Sequence, residues 1–267
     1  MKHPNRSPLT LAVAVAVLAA CGESTTPSLF NDDTITDDIA NSSGDAIASS
    51  IAAMMVNEGD AALPGSASNL ASLNSNSLTY DRTRVCYDAN DAVVQGCSPI
   101  SSVRKIATHV EIDGTRSGSH ATRRGTTATW TGIVHRAWDD TVTRNFNSAQ
   151  PPVESSRTHG GVMAGSDTTI FSEGDFTRHV AETSRDTIKA VTWNLPRSSN
   201  PFPVSGAIVR LDSVDITVTK GSRTETRELV RKLQVDFPAD AQGNVVLKIN
   251  DKTCNLNLVT HVVSNCQ

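Results

Sequence analysis

Aromatic residues make up only 4% of the 267-residue chain, too few for a sugar-binding platform, which needs several exposed rings. Neither sign of charge dominates: 24 Lys and Arg stand against 28 Asp and Glu, a formal net charge of −4. That balance argues against a polyanion binder on overall charge, so no nucleic-acid partner is expected. No apolar run approaches the roughly 20 residues that a membrane-spanning helix needs. Also missing are a GxSxG nucleophile elbow, a GxxxxGK[ST] phosphate loop, an HExxH pair and a GxGxxG turn after a strand. No cofactor is therefore expected, and an enzyme is the less favoured reading. The apolar share of 38% with 16 glycines is close to the globular norm and excludes collagenous and low-complexity classes.

What is present begins at the N-terminus. Lys2 and Arg6 precede a ten-residue apolar run, Leu9 to Leu18, followed by Leu18-Ala19-Ala20-Cys21. A run of that length suits a cleaved secretory signal. The four residues resemble the lipobox of bacterial lipoproteins, and the resemblance covers residues 1 to 21. It implies that residues 1 to 20 are removed and that Cys21 becomes the first mature residue. It also implies a diacylglyceryl group on the Cys21 thiol and a fatty acyl chain such as palmitate on its amino group. Two or more acyl chains give stable attachment where one does not, so the membrane is the expected partner. Gly22 in place of an Asp favours, by the family's sorting rule, the outer over the inner membrane. The alternative is an ordinary secretory signal with a chance cysteine.

Residues 21 to 77 read as a tether. Between residues 22 and 63 lie Glu23, Asp32, Asp33, Asp37, Asp38, Asp45, Glu58 and Asp60 and no Lys or Arg. Residues 22 to 38 are dominated by Ser, Thr, Pro and Asp and bury too little to offset ordering entropy, the signature of a solvated stalk. Ile47, Ile51, Met54 and Met55 recur at helical spacing, with Ser43 or Asp45 as a cap and Gly59 beyond, predicting an amphipathic helix over about 45 to 57. A helix roughly 20 Å long is not stable alone in water. It is expected to dock on the body's own sheet, with a partner protein or the membrane surface as alternatives. Residues 59 to 77 read as a flexible linker.

From Leu78 to the C-terminus the period changes to two. Val214, Ile216 and Val218 alternate with Asp215, Thr217 and Thr219, as do Leu233, Val235 and Phe237 with Gln234 and Asp236, and Cys254, Leu256 and Leu258 with Asn255 and Asn257. This is the pattern of half-buried antiparallel strands. The expectation for residues 78 to 267 is one all-β domain of about ten to twelve strands. They would form an antiparallel meander in a curved or partly closed sheet, with a two-layer sandwich as the alternative. Turns are expected at Asp139-Asp140, Ser184-Arg185-Asp186, Lys220-Gly221-Ser222, Gln242-Gly243-Asn244 and Asn250-Asp251, and loops at Pro151-Pro152 and Pro196 to Pro203. Open edges would need closure, a covering helix or charge.

Four cysteines remain beyond Cys21. Their even number in an exported chain points to disulfides. Three pairings are possible; the local one, Cys86 with Cys97 and Cys254 with Cys266, is favoured because each loop is short. Zinc is the competing reading, but no pair has zinc-knuckle spacing.

The chemistry-bearing residues are scattered. His109-Val110-Glu111 matches half of a zinc-deaminase signature without its PCxxC half. His120, His135, His159, His179 and His261 occur singly. Asp139 and Asp140 form a carboxylate pair whose expected place is a turn. Arg123-Arg124 suits an exposed loop or an anionic head group, and Trp130, Trp138 and Trp193 suit core packing before ligand stacking.

Three functions fit. The first is a lipid-anchored cell-envelope protein whose β-domain is a structural or interaction module. The second is a carrier or receptor for a hydrophobic ligand, with the helix as a lid. Its shape would be similar to the open half-barrels of bacterial proteins that handle lipoproteins and lipopolysaccharide, an analogy of fold that no residue motif carries. A hydrolase is the third.

Overall fold

The computed structural model describes residues 29, 47, 50, 51, 54, 78–98, 100–121 and 127–267. Cys21, Met55, Arg123, Arg124, the expected signal segment over 1–20 and the expected linker over 59–77 lie outside them, as does the side chain of His120.

Alternation of apolar and polar residues over long stretches produces long strands, and the chain folds as one antiparallel sheet. Its strands are β1 (Leu78–Tyr87), β2 (Val93–Val94), β3 (Lys105–Ala121), β4 (Thr127–Phe146), β5 (Glu154–Glu173), β6 (Phe176–Asn194), β7 (Ser205–Lys220), β8 (Arg223–Asp236), β9 (Asn244–Ile249), β10 (Lys252–Asn257) and β11 (Val263–Ser264). Their spatial order is β2-β1-β3-β4-β5-β6-β7-β8-β9-β10-β11. Apart from the exchange of β1 and β2 this is a meander, and among the described residues β2 and β11 form the sheet's two unpaired edges, so the sheet is open and is not a sandwich.

Two-residue hairpin loops join β5 to β6, β7 to β8 and β9 to β10. Gly174-Asp175, Gly221-Ser222 and Asn250-Asp251 each begin with a residue of positive φ, the geometry that matches strand twist. The proline-rich stretches fall in the β4–β5 and β6–β7 connections. Two expected turns are absent. Asp139-Asp140 sits inside β4 and Ser184-Arg185-Asp186 inside β6, because each polar side chain finds a cross-strand partner or water without leaving the ladder.

Period-two geometry sorts the side chains onto two faces. The outer face is rich in Thr, with hydrogen-bonded cross-strand pairs Thr158–Thr192, Thr217–Thr226 and Thr219–Thr224. The inner face holds the main core at one end of the long strands. Ile188, Val191 and Trp193 of β6 pack there with Ile208 of β7, Leu233 and Val235 of β8, Val245 and Leu247 of β9, and Leu256 of β10. Ile47, Ile51 and Met54, all helical positions and at most 1% exposed, complete that cluster. The described part of the N-terminal helix thus lies on the body's own sheet. Each such side chain contributes about 1.5–3 kcal/mol by leaving water.

A bulge shifts the β6–β7 register between Lys189 and Thr192. Opposite it, Gly206 has φ +100°, and a Cβ there would overlap the Ala190 carbonyl, so only glycine fits without strain.

Both edges end alike. β2 is followed by Cys97, bonded to Cys86 of β1, and β11 by Cys266, bonded to Cys254 of β10. These are the local pairs favoured from the sequence. Their loops, 11 and 12 residues apart in sequence, each stabilise by about 3 kcal/mol on the chain-entropy view.

Candidate functional site

Beyond the apolar end, the inner face turns ionic. The β6–β7 register sets Asp186 opposite Arg210, and the β7–β8 register sets Asp212 opposite Arg231. Asp186, Asp212 and Arg231 are 1%, 2% and 6% exposed. Arg210 binds three carboxylates at once: Nε to Asp212 Oδ1 at 2.6 Å, Nη2 to Glu182 Oε1 at 2.9 Å and Nη1 to Asp186 Oδ1 at 3.2 Å. Arg231 Nη2 lies 3.2 Å from Asp212 Oδ2. Arg136 of β4 pairs with Asp167 of β5, which stands directly across from Glu182. The Ser50 hydroxyl, between Ile47 and Ile51, donates to Asp186. One polar side chain of the N-terminal segment therefore caps a buried carboxylate while its neighbours enter the core.

The belt holds Arg136, Arg210 and Arg231 against Asp167, Glu182, Asp186 and Asp212, so carboxylates are in excess. Burial pushes the Asp212 carboxyl up to about 6, against the pull of Arg210, with Glu182 adding to the rise. Burial likewise raises Asp186, opposed by Arg210 and by the Ser50 hydrogen bond. Arg210 is raised: burial opposes its charge, but Asp186, Asp212 and Glu182 outweigh it.

Two smaller clusters flank the belt. His159, fully buried, meets Asp140 through Nδ1 at 3.2 Å and packs edge-on against Trp193 at 5.3 Å between centroids. Thr108 stands across from Asp140 on β3, on the carboxylate's side. The arrangement is a sealed dyad under an indole, without the open approach a hydrolytic site needs. Arg144 and Arg157 clasp Glu154 at 2.7 Å each. Burial works to raise that carboxyl, yet the Arg144 and Arg157 hydrogen bonds win and hold it below its ordinary value.

The outer face carries its own ionisable set. His109 Nδ1 lies 2.8 Å from Asp139 and Nε2 lies 3.4 Å from Glu111, while His135 pairs with Asp113. Glu111, His135 and Asp139 are exposed and His109 and Asp113 half-buried, and the carboxylates raise both imidazoles, Asp139 leading for His109 and Asp113 for His135.

Among the described side chains, the histidines do not come together. His109 and His135 are on the outer face of β3 and β4, His159 is inside, His179 is exposed on β6 and His261 lies near the C-terminus. Trp130 covers Gly118, Trp138 is 7% exposed, and Trp193 is fully buried with the Arg197 guanidinium 4.5 Å above its ring. Trp138 and Trp193 therefore serve the core. Sequence reasoning does not find the belt: Asp186 falls in an expected turn, and Glu182, Arg210, Asp212 and Arg231 belong to no motif. The available signal was that each falls in phase with apolar residues: Asp186 with Ile188, Arg210 and Asp212 with Ile208 and Val214, Arg231 with Leu233. The N-terminal segment also touches the sheet at Leu29, whose N–H donates to Glu225 at 2.9 Å.

Among the described residues no group of three His, Cys, Asp or Glu side chains is placed to hold a metal ion. No family model, curated protein or solved structure matches the chain.

Proposed function

We propose that the protein is a lipid-anchored component of the bacterial cell envelope, held in the outer membrane through acylated Cys21, and that its β-domain is a structural or interaction module. The Leu18-Ala19-Ala20-Cys21 sequence supports the anchor, and two disulfides are consistent with an oxidising compartment outside the cytoplasm.

The observation that carries the module reading over the carrier reading is the charged belt. A carrier for an apolar molecule needs an apolar wall along its inner face. Here Arg210, Asp186, Asp212 and Arg231 occupy the middle of that face, and Ile47, Ile51 and Met54 fill the apolar end. Burying a hydrocarbon chain over these charges would desolvate them further at a cost of several kcal/mol.

Native mass spectrometry of the chain over residues 22–267, exported to the periplasm without its anchor and compared with the denatured sample, tests this reading. The bare polypeptide mass is expected in both. A discrete additional mass lost on denaturation would establish the carrier. For the anchor, replacing Cys21 with Ala is expected to move the full-length protein from the membrane to the soluble fraction.

A further inference from the structure

The N-terminal segment meets the sheet at both ends of the long strands. The Leu29 N–H donates to the Glu225 carboxylate at 2.9 Å, close to the start of β8. Ile47, Ile51 and Met54 enter the core at the other end, and Ser50 reaches Asp186 in the belt between. Coming from Cys21, the chain therefore touches the Leu29 end first.

The two ends differ in make-up. At the Leu29 end β3 passes to β4, and the Gly174-Asp175 and Gly221-Ser222 hairpins join β5 to β6 and β7 to β8. At the other end are the connections over 147–153, 195–204 and 237–243, each with proline, and both disulfides.

Lengths decide which end can approach a membrane. Residues 22 to 28 separate Leu29 from Cys21, and a chain of that length, fully extended, reaches at most about 29 Å. Glu225 is level with Val218 of β7 and Arg178 of β6. From Arg178 the strand continues to Asn194, roughly 50 Å at the usual rise per residue. Were the sheet to stand on its disulfide end, Leu29 would be lifted beyond the reach of an anchored Cys21. The outer face is a poor surface to lie on, since its His109–Asp139 and His135–Asp113 pairs and its threonine pairs would give up water. The inner face already holds Leu29, Ile47, Ser50, Ile51 and Met54.

We infer, resting on the acylated Cys21 of the anchor reading, that the hairpin end of the sheet abuts the lipid headgroups and that the strands stand away from the bilayer. The surface left to a protein partner is then the outermost one, the end with the disulfides and the proline-bearing connections.

The test uses the mature acylated protein in phospholipid vesicles that carry an acceptor-labelled lipid. A donor fluorophore is joined to an azide-bearing residue in place of Ser222, at the β7–β8 tip, or of Ser198, in the β6–β7 connection. Both positions are exposed, and the cysteines are left untouched. Energy transfer from position 222 is expected to exceed that from position 198 severalfold. If either substituted chain does not fold, the exposed Asp175 and Ser199 mark the same two ends. Equal transfer from the two ends, as for a sheet lying flat or turning freely on its tether, overturns the inference, and so does stronger transfer from position 198. Protein that stays off the vesicles removes the anchor reading and this orientation with it; bound protein with equal or reversed transfer removes the orientation alone.

Discussion

Asp139 and Asp140 are neighbours in β4 and face opposite sides of one sheet. The Asp139 side chain is 80% exposed and accepts from His109 on the outer face; that of Asp140 is 2% exposed and meets His159 on the inner one. The same contrast separates the His109 and His135 pairs from the belt around Arg210. In water an ion pair nets little, because each charge exchanges a hydrated state for a screened contact. Under the core, hydration is already lost, and a charge is tolerable only while its partners stay in place. Similar chemistry on the two faces therefore carries very different energetic weight, and the difference is set by what lies over each face.

The largest break of that contrast is Arg210→Met. The change keeps most of the side-chain volume but leaves Asp186, Asp212 and Glu182 without the cation they share. A loss of about 3–5 kcal/mol is expected at neutral pH, as for other buried pairs deprived of one partner. Chemical denaturation with the disulfides intact measures it, and the loss should shrink in acid as the stranded carboxyls take up protons. A loss as small as that of an outer-face substitution would mean that the belt is hydrated.

A finer cut uses Asp212→Asn and the pH dependence of stability. The folded-state carboxyl is pushed up to about 6 from an ordinary 3.8. Between those values the folded protein binds more protons than the unfolded chain. This group's contribution therefore falls as pH rises through that window and is level above it. Glu154 acts in the opposite sense: its lowered value contributes stability that is lost as pH falls through it. Stability curves from denaturant titrations at a series of pH values should show a shallower decline between about pH 4 and 6 in Asp212→Asn, the raised Asp186 carboxyl accounting for what remains. An unchanged decline would place its source elsewhere.

The sequence makes one half of this contrast legible. Strict alternation over β7 and β8 announces the sheet, and an even four cysteines beyond Cys21 announce two bridges. The helical spacing of Ile47, Ile51 and Met54 announces a face that needs cover. What alternation cannot report is which polar residues share the buried face. Asp140 and Asp186 sit in phase with apolar neighbours, but Asp139-Asp140 and Ser184-Arg185-Asp186 also look like turns, because the same small polar residues satisfy backbone in turns and accept cross-strand partners in ladders. Strands of 19 and 20 residues are far longer than the usual five or six, so a turn every ten residues is the natural misreading. Ser50 carries no signal of its role, since its partner Asp186 is 136 positions away in the chain. The belt exists only once five strands, β4 to β8, are in register.

The smallest expected effect belongs to the outer face, and it sharpens the contrast from the other side. Asp139, and then Glu111, raise the His109 imidazole above its ordinary 6.5. A raised histidine contributes stability that is present in acid and is lost as pH rises through its folded value. Because the His109 side chain is 42% exposed, that contribution should be screened by salt. In a titration followed by NMR, Asp139→Asn is expected to bring His109 down toward its ordinary value, and 1 M salt should do much the same in the unaltered protein. The denaturation midpoint should not move measurably in either case. A midpoint shift comparable with that of Arg210→Met would mean that the outer face is covered in the intact protein, and Asp139 and Asp140 would then share one environment after all.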